Sequence, residues 1–239
     1  MALFKGRHGI IPACDVAELT VLEELVRETS DLEFVQGYKI GILTVLPNGL
    51  VAAVQAIRKY SELPVIYDHQ KFGTDIPEIC GGQILKTVKD TGVDGLIIFP
   101  QAGIETLKAT VSTCLRVGLT PLVGGEMTHK GYLTGEGGYI EDGAPARIYA
   151  DAAKCGVEYY VVPGTRVEAM TRYKGLLERS VKAPKFLFPG VGSGQGGDVR
   201  RAFDAVKPHS GYAIVGRGIY ASPDKRTSAM NLWKEVDYP

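Results

Sequence analysis

Eight short apolar runs, separated by stretches of helical period, constrain the fold of this chain more than any other feature. They lie at 9–14 (GIIPAC), 34–40 (FVQGYKI), 63–67 (LPVIY), 95–99 (GLIIF), 119–124 (LTPLVG), 158–162 (EYYVV), 185–188 (KFLF) and 212–216 (YAIVG). Short apolar runs bounded by glycine, proline or polar residues fit strands buried on both faces. Between them, residues 17–30 place Leu19, Leu22, Leu25 and Val26 at helical steps, with Glu23, Glu24 and Arg27 outside. Residues 103–117 repeat the pattern with Ile104, Leu107, Val111 and Leu115, which predicts that these four face the core. Strand–helix alternation argues a parallel sheet. Eight units in 239 residues match an α/β fold of the (β/α)8 TIM barrel type, one domain over 1–239. An open doubly wound sheet is the competing architecture.

Composition narrows the function classes. Lys+Arg and Asp+Glu are balanced at 27 each, which gives no support for broad electrostatic binding to nucleic acid or a membrane surface. The four cysteines (Cys14, Cys80, Cys114, Cys155) form no C-x-x-C pair, so the spacing suits neither a zinc site nor a disulfide framework. The N-terminal MALFKGRHGIIPACD lacks the apolar run of a signal peptide, and GLIIFP is far too short to span a bilayer. A cytoplasmic location is the expectation. Thirty glycines exceed ordinary usage and belong where backbone turns tightly or approaches a ligand closely.

In such barrels the chemistry gathers at the C-terminal ends of the strands. Read in order, those ends carry Asp15, Lys39, Asp68 with Lys71 and Asp75, then Glu126-Met127-Thr128-His129, Gly164-Thr165-Arg166, and Gly216-Arg217-Gly218. Any one of these groups is well explained as a rim ion pair. Lys39, Asp68, Lys71 and Asp75 converging on one mouth predict an alternating-charge network, because ionised groups over an apolar strand need partners. PGVGSGQGGD (189–198) and IVGRGIY (214–220) follow the seventh and eighth runs, where backbone N–H groups and a guanidinium suit a phosphate. The connection 128–147 carries five glycines and is expected to act as a lid. His8 and His129 read as surface or lid residues, and Trp233 as packing.

These pieces together resemble the orotidine 5′-monophosphate decarboxylase family, in its archaeal-like branch. The resemblance rests on ACDV (13–16), YKIG (38–41), DHQKFGTDIP (68–77), GEMTHKG (125–131), VVPGTR (161–166), PGVGSGQGG (189–197) and VGRGIY (215–220), in that order. It implies a barrel that works without metal or cofactor, as a homodimer with shared sites, on a small-molecule nucleotide. By the same resemblance Asp15 binds the ribose, Lys39 ties the ribose to the charged network, Asp68 faces the substrate carboxylate and Lys71 delivers a proton to C6. Asp75 and Ile76 reach the partner's site, Thr128 contacts the pyrimidine amide, and Pro189, Gln195, Gly216 and Arg217 surround the phosphate.

Three departures stand out. The family pattern D-x-K-x-x-D is here D-x-x-K-x-x-x-D, so Asp68 and Lys71 meet only across a bulge or beyond the end of the strand, with Gly73 absorbing the second extra residue. PGVGSGQGG is one residue longer before its glutamine, and Ile79 stands where the family often has threonine. Two rivals remain open at this level: an Mg²⁺-dependent sugar-phosphate decarboxylase or synthase barrel, and a nucleotide-binding paralogue without catalysis.

Overall fold

In a computed structural model, residues 2–69, 72–192 and 196–236 are described. Eight parallel strands form one sheet: β1 (His8–Pro12), β2 (Tyr38–Gly41), β3 (Val65–Asp68), β4 (Gly95–Ile98), β5 (Thr120–Gly124), β6 (Tyr159–Val161), β7 (Lys185–Pro189) and β8 (Ser210–Val215). The sheet order β1-β8-β7-β6-β5-β4-β3-β2 leaves β1 and β2 as its edges. These edges meet through the isolated bridges Ile10–Val35 and Ala13–Lys39. Cys14 N donates to Lys39 O at 2.7 Å and Ile10 N to Phe34 O at 2.8 Å, so the sheet curls into a nearly closed (β/α)8 barrel.

Alternation of side chains along each strand builds two cores. Ile11, Ile66, Ile97, Leu122, Leu187 and Ile214 point into the barrel, and Phe4 joins them against Tyr159 and Tyr212. Their strand neighbours Ile10, Tyr67, Ile98, Val123, Phe188 and Val215 point outward and pack against the helices. Among the described residues no helix is long and apolar enough to cross a membrane.

All eight apolar runs contain a strand, with one informative difference. The 34–40 run divides: 34–36 bridges β1, while Tyr38–Gly41 pairs with β3. Gln36 N donates to Ile10 O at 3.0 Å and its Oε1 accepts from Gly6 N at 2.7 Å, so the first half serves the barrel seam.

The expected helices form over Leu19–Thr29 and Ile104–Val117, but the second turns a different face to the core. Leu107 and Val111 are buried as expected, whereas Ile104 and Leu115 are exposed. Thr106, Thr110, Thr113 and Cys114 are buried instead. The threonine hydroxyls are satisfied by carbonyls: Thr106 Oγ1 donates to Asp75 O at 2.9 Å, Thr113 Oγ1 to Gly81 O at 2.8 Å and Thr110 Oγ1 to Thr106 O at 2.7 Å. This polar face supports the segment that carries Asp75.

Trp233 stacks on Phe34 with centroids 5.3 Å apart, as its packing role requires. His8 is half-buried at the start of β1, where Nδ1 accepts from Gly211 N at 3.3 Å, so it is a strand-anchoring group rather than a surface one.

Candidate active site

The parity that fills the barrel also delivers its functional side chains. One inward step beyond Ala13, Ile66, Ile97, Leu187 and Ile214 come Asp15, Asp68, Phe99, Pro189 and Gly216. Together with Lys39 they line a cavity of about 180 Å³ at the C-terminal mouth. A wider hollow of about 550 Å³ adjoins it and shares Asp15, Lys39 and Asp68. Site and core are therefore consecutive layers of one alternation.

Lys39 is 7% exposed and its ammonium lies between two carboxylates, 3.2 Å from Asp15 Oδ1 and 3.1 Å from Asp68 Oδ2. Burial pushes its pKa down, but the charges and hydrogen bonds of Asp68 and Asp15 outweigh that effect and leave it above the ordinary lysine value. The cation is locked on. Three strands' ends are thereby tied by one side chain, and the mouth presents carboxylate oxygens beside a fixed positive charge.

β3 ends at Asp68, so the longer D-x-x-K spacing falls in the connection after the strand rather than in a bulge. Phe72 N donates to His69 O at 3.0 Å. His69 Nδ1 lies 2.9 Å from Tyr67 OH, and its ring meets Phe72 at 5.7 Å, so His69 and Phe72 pack together beside Tyr67 on the outward face of the barrel. Gly73 then adopts φ +117, and a Cβ there would lie 2.4 Å from Phe99 O. Only glycine fits that approach. Cys80 Sγ contacts Gly73 N at 3.3 Å and Asp75 O at 3.6 Å, which pins the segment from behind. Lys71 itself lies outside the described residues.

Of the residues singled out in the sequence, Asp15, Lys39, Asp68, Thr128, Pro189 and Gly216 meet in the central cavity. Asp75 and Ile76 do not line it. Asp75 Oδ1 accepts from Ile76 N at 2.8 Å, and Ile76 is 56% exposed. Of the expected four-residue network, the Lys39–Asp68 pair is seen among the described residues, and Asp15 joins it as a member that the charge pattern alone did not include. Arg217 is exposed and opens the short helix Arg217–Tyr220 directly after Gly216. Gln195 lies outside the described residues.

Glu126, which stands at a strand end in the sequence with no role implied by the resemblance, is buried and lines the same cavity. The expected lid is more ordered than its glycines suggest, with a 3-10 turn at Thr134–Glu136 and a helix from Ala144 onward. Cys14 is buried beside the site, and burial pushes its thiol far above the usual range, which leaves it unreactive.

Comparison with known proteins agrees with this fold. Residues 9–232 match the profile of the Orotidine 5′-phosphate decarboxylase / HUMPS family. Orotidine 5′-phosphate decarboxylase of Methanosarcina barkeri is 30% identical over 233 residues, covering 95% of this chain and 94% of the relative. That of Pyrococcus abyssi is 30% identical over 229 residues, covering 95% and 98%. The crystal structure of orotidine 5′-monophosphate decarboxylase from Methanocaldococcus jannaschii with the inhibitor BMP aligns with a TM-score of 0.82. Its sequence identity is 25%, and the alignment covers 97% of this chain and 99% of that one.

Proposed function

The chain belongs to the Orotidine 5′-phosphate decarboxylase / HUMPS family, and we infer from the charged mouth of its barrel that it decarboxylates orotidine 5′-monophosphate to UMP. The observation that carries this reading is the Lys39 ammonium held between Asp15 and Asp68 over the inward core. In this assignment Asp15 and Lys39 take the ribose, Thr128 the pyrimidine amide, and Pro189, Gln195, Gly216 and Arg217 the phosphate.

The chemistry requires such a site. When the C6–carboxylate bond breaks, its electron pair remains on C6 in an orbital that the ring cannot delocalise. Stabilisation must then come from fixed charge, and the largest rate enhancements require about 20 kcal/mol or more. Asp68 set ~4 Å from the departing carboxylate contributes only about 4 kcal/mol of repulsion at an effective dielectric near 20. The greater part falls to Lys71, whose ammonium stabilises charge growing at C6 and then gives it a proton, so that CO₂ and UMP are the products. Contacts to ribose and phosphate, remote from C6, drive closure of the loops over the mouth.

Exposed apolar side chains after β2 and β3 (Ile42, Leu43, Leu46, Ile76, Ile79) support a second copy packing beside this mouth, with Asp75 reaching across. An absorbance assay following loss of orotidine monophosphate, run with EDTA, tests the activity. Turnover by the wild type and none by Lys71→Ala, with UMP binding retained, is the expected result. A Lys71→Ala protein with normal kcat would remove Lys71 from the mechanism.

A further inference from the structure

Glu126 poses a question that the decarboxylation scheme leaves unanswered. A carboxylate with 1% side-chain exposure on the wall of the substrate cavity is costly unless it is fully partnered. Its partners come from the chain after β6. Arg166 Nη1 donates to Glu126 Oε1 at 3.0 Å, and Tyr173 OH donates to Glu126 Oε2. Burial and the Glu126 hydrogen bond both push the Tyr173 phenol upward in pKa, so it stays a donor.

The same guanidinium extends toward solvent. Nη1 and Nη2 grip Glu136 in a bidentate pair at 2.6 and 2.9 Å, and Nη2 also donates to His129 O at 2.9 Å. Glu136 in turn accepts from Gly131 N at 3.2 Å. One residue earlier, Thr165 Oγ1 donates to Thr128 O at 3.3 Å. Gly190, at φ +89, packs so closely that a Cβ there would come 3.1 Å from Thr128 Cγ2. The segment 128–136 is thus held to the end of β6 at the carbonyls of Thr128 and His129 and at the Glu136 side chain.

From this geometry we infer that Arg166 is a positioning residue, fixing Thr128 for contact with the pyrimidine ring while Glu126, buried behind it, fixes Arg166. The inference rests on the nucleotide reading above and extends it to a residue that does not touch substrate. The planar fork of arginine is essential here, since it serves two carboxylates and a carbonyl at once in set directions. Lysine would keep the charge against Glu126 but cannot reproduce the fork.

Calorimetric titration of UMP and of ribose 5-phosphate into wild type, Arg166→Lys and Glu136→Gln tests this. Thr128 meets the base and not the sugar phosphate, so UMP should weaken by about 10-fold or more in Arg166→Lys, in line with a charged hydrogen bond lost. Ribose 5-phosphate should bind all three proteins alike. On the same grounds KM for orotidine monophosphate should rise more than kcat falls. If Arg166→Lys does not fold, Glu136→Gln carries the test, because Glu136 is exposed and pairs from the loop side. Equal weakening of both ligands, or of neither, overturns the assignment to Arg166. A wild type that binds UMP no better than ribose 5-phosphate overturns instead the nucleotide reading on which it rests.

Discussion

Lys39 Nζ stands 3.1 Å from Asp68 Oδ2 across the β2–β3 pair, in a register that sets Lys39 beside Ile66 and Gly41 beside Asp68. The two side chains thus meet from successive layers of adjacent strands, and the same ammonium reaches Asp15 at 3.2 Å. One cation against two carboxylates leaves this trio with a formal charge of minus one.

The shift at Lys39 fixes a sign for pH dependence. Its folded pKa is raised, so its stabilising contribution is complete below the unfolded lysine value of about 10.4 and is lost as pH climbs through the higher folded value. Urea melts of the wild type should therefore lose stability above about pH 10.4, a decline from which Lys39→Met removes one proton's share. At neutral pH the same variant should lose at least about 100-fold in kcat/KM, as removal of a fixed charge from a transition-state site does. A wild-type decline that Lys39→Met fails to reduce would contradict the paired geometry.

Gly73→Ala should disturb the segment from Phe72 to Asp75, within the long D-x-x-K-x-x-x-D stretch. The new Cβ would press on Phe99 O at a left-handed φ of +117, and such strain costs about 1–3 kcal/mol. Denaturant midpoints should fall accordingly, and kcat/KM should fall further than stability alone explains because Gly73 lies between Lys71 and Asp75. An alanine protein equal to wild type in both respects would show that this approach does not shape the segment.

Arg217→Ala is expected to separate phosphate from base. Loss of a hydrogen bond to a charged group amounts to about 1.5–3 kcal/mol, or roughly 10- to 150-fold in affinity. UMP should weaken by that amount while uridine, lacking the phosphate, binds as before. Equal losses for the two ligands would place the phosphate elsewhere.

Ile76→Glu puts a charge into the exposed apolar surface beside Asp75. Sedimentation should shift from a two-chain to a one-chain mass, with activity falling in step as the sites lose the partner's Asp75. Wild-type protein sedimenting as a single chain would overturn the paired assembly.

The barrel was legible because eight short apolar runs alternate with stretches of helical period, and Asp15, Asp68 and Gly216 stand at or just beyond the ends of those runs, where local order alone reveals them. What the sequence concealed depends on contacts between distant segments. Ile104 and Leu115 have helical spacing with Leu107, yet they lose the core face to threonines whose hydroxyls find carbonyls at Asp75 and Gly81. The outward packing of His69 and Phe72 depends on Tyr67 and His69 meeting side by side, which a D-x-x-K string does not reveal. Arg166 is more distant still, since its carboxylate partners lie 40 and 30 residues before it.

The seam between β1 and β2 is joined by isolated bridges where the other neighbouring strands share continuous ladders. Asp15 follows β1 and Lys39 belongs to β2, so their ion pair is a clasp across the barrel's loosest join. Drift that retunes this pair for another substrate would also slacken the hoop that shapes every neighbouring loop. One ion pair thus serves both the charged mouth and the closure of the barrel, so a change at either residue would be felt in both.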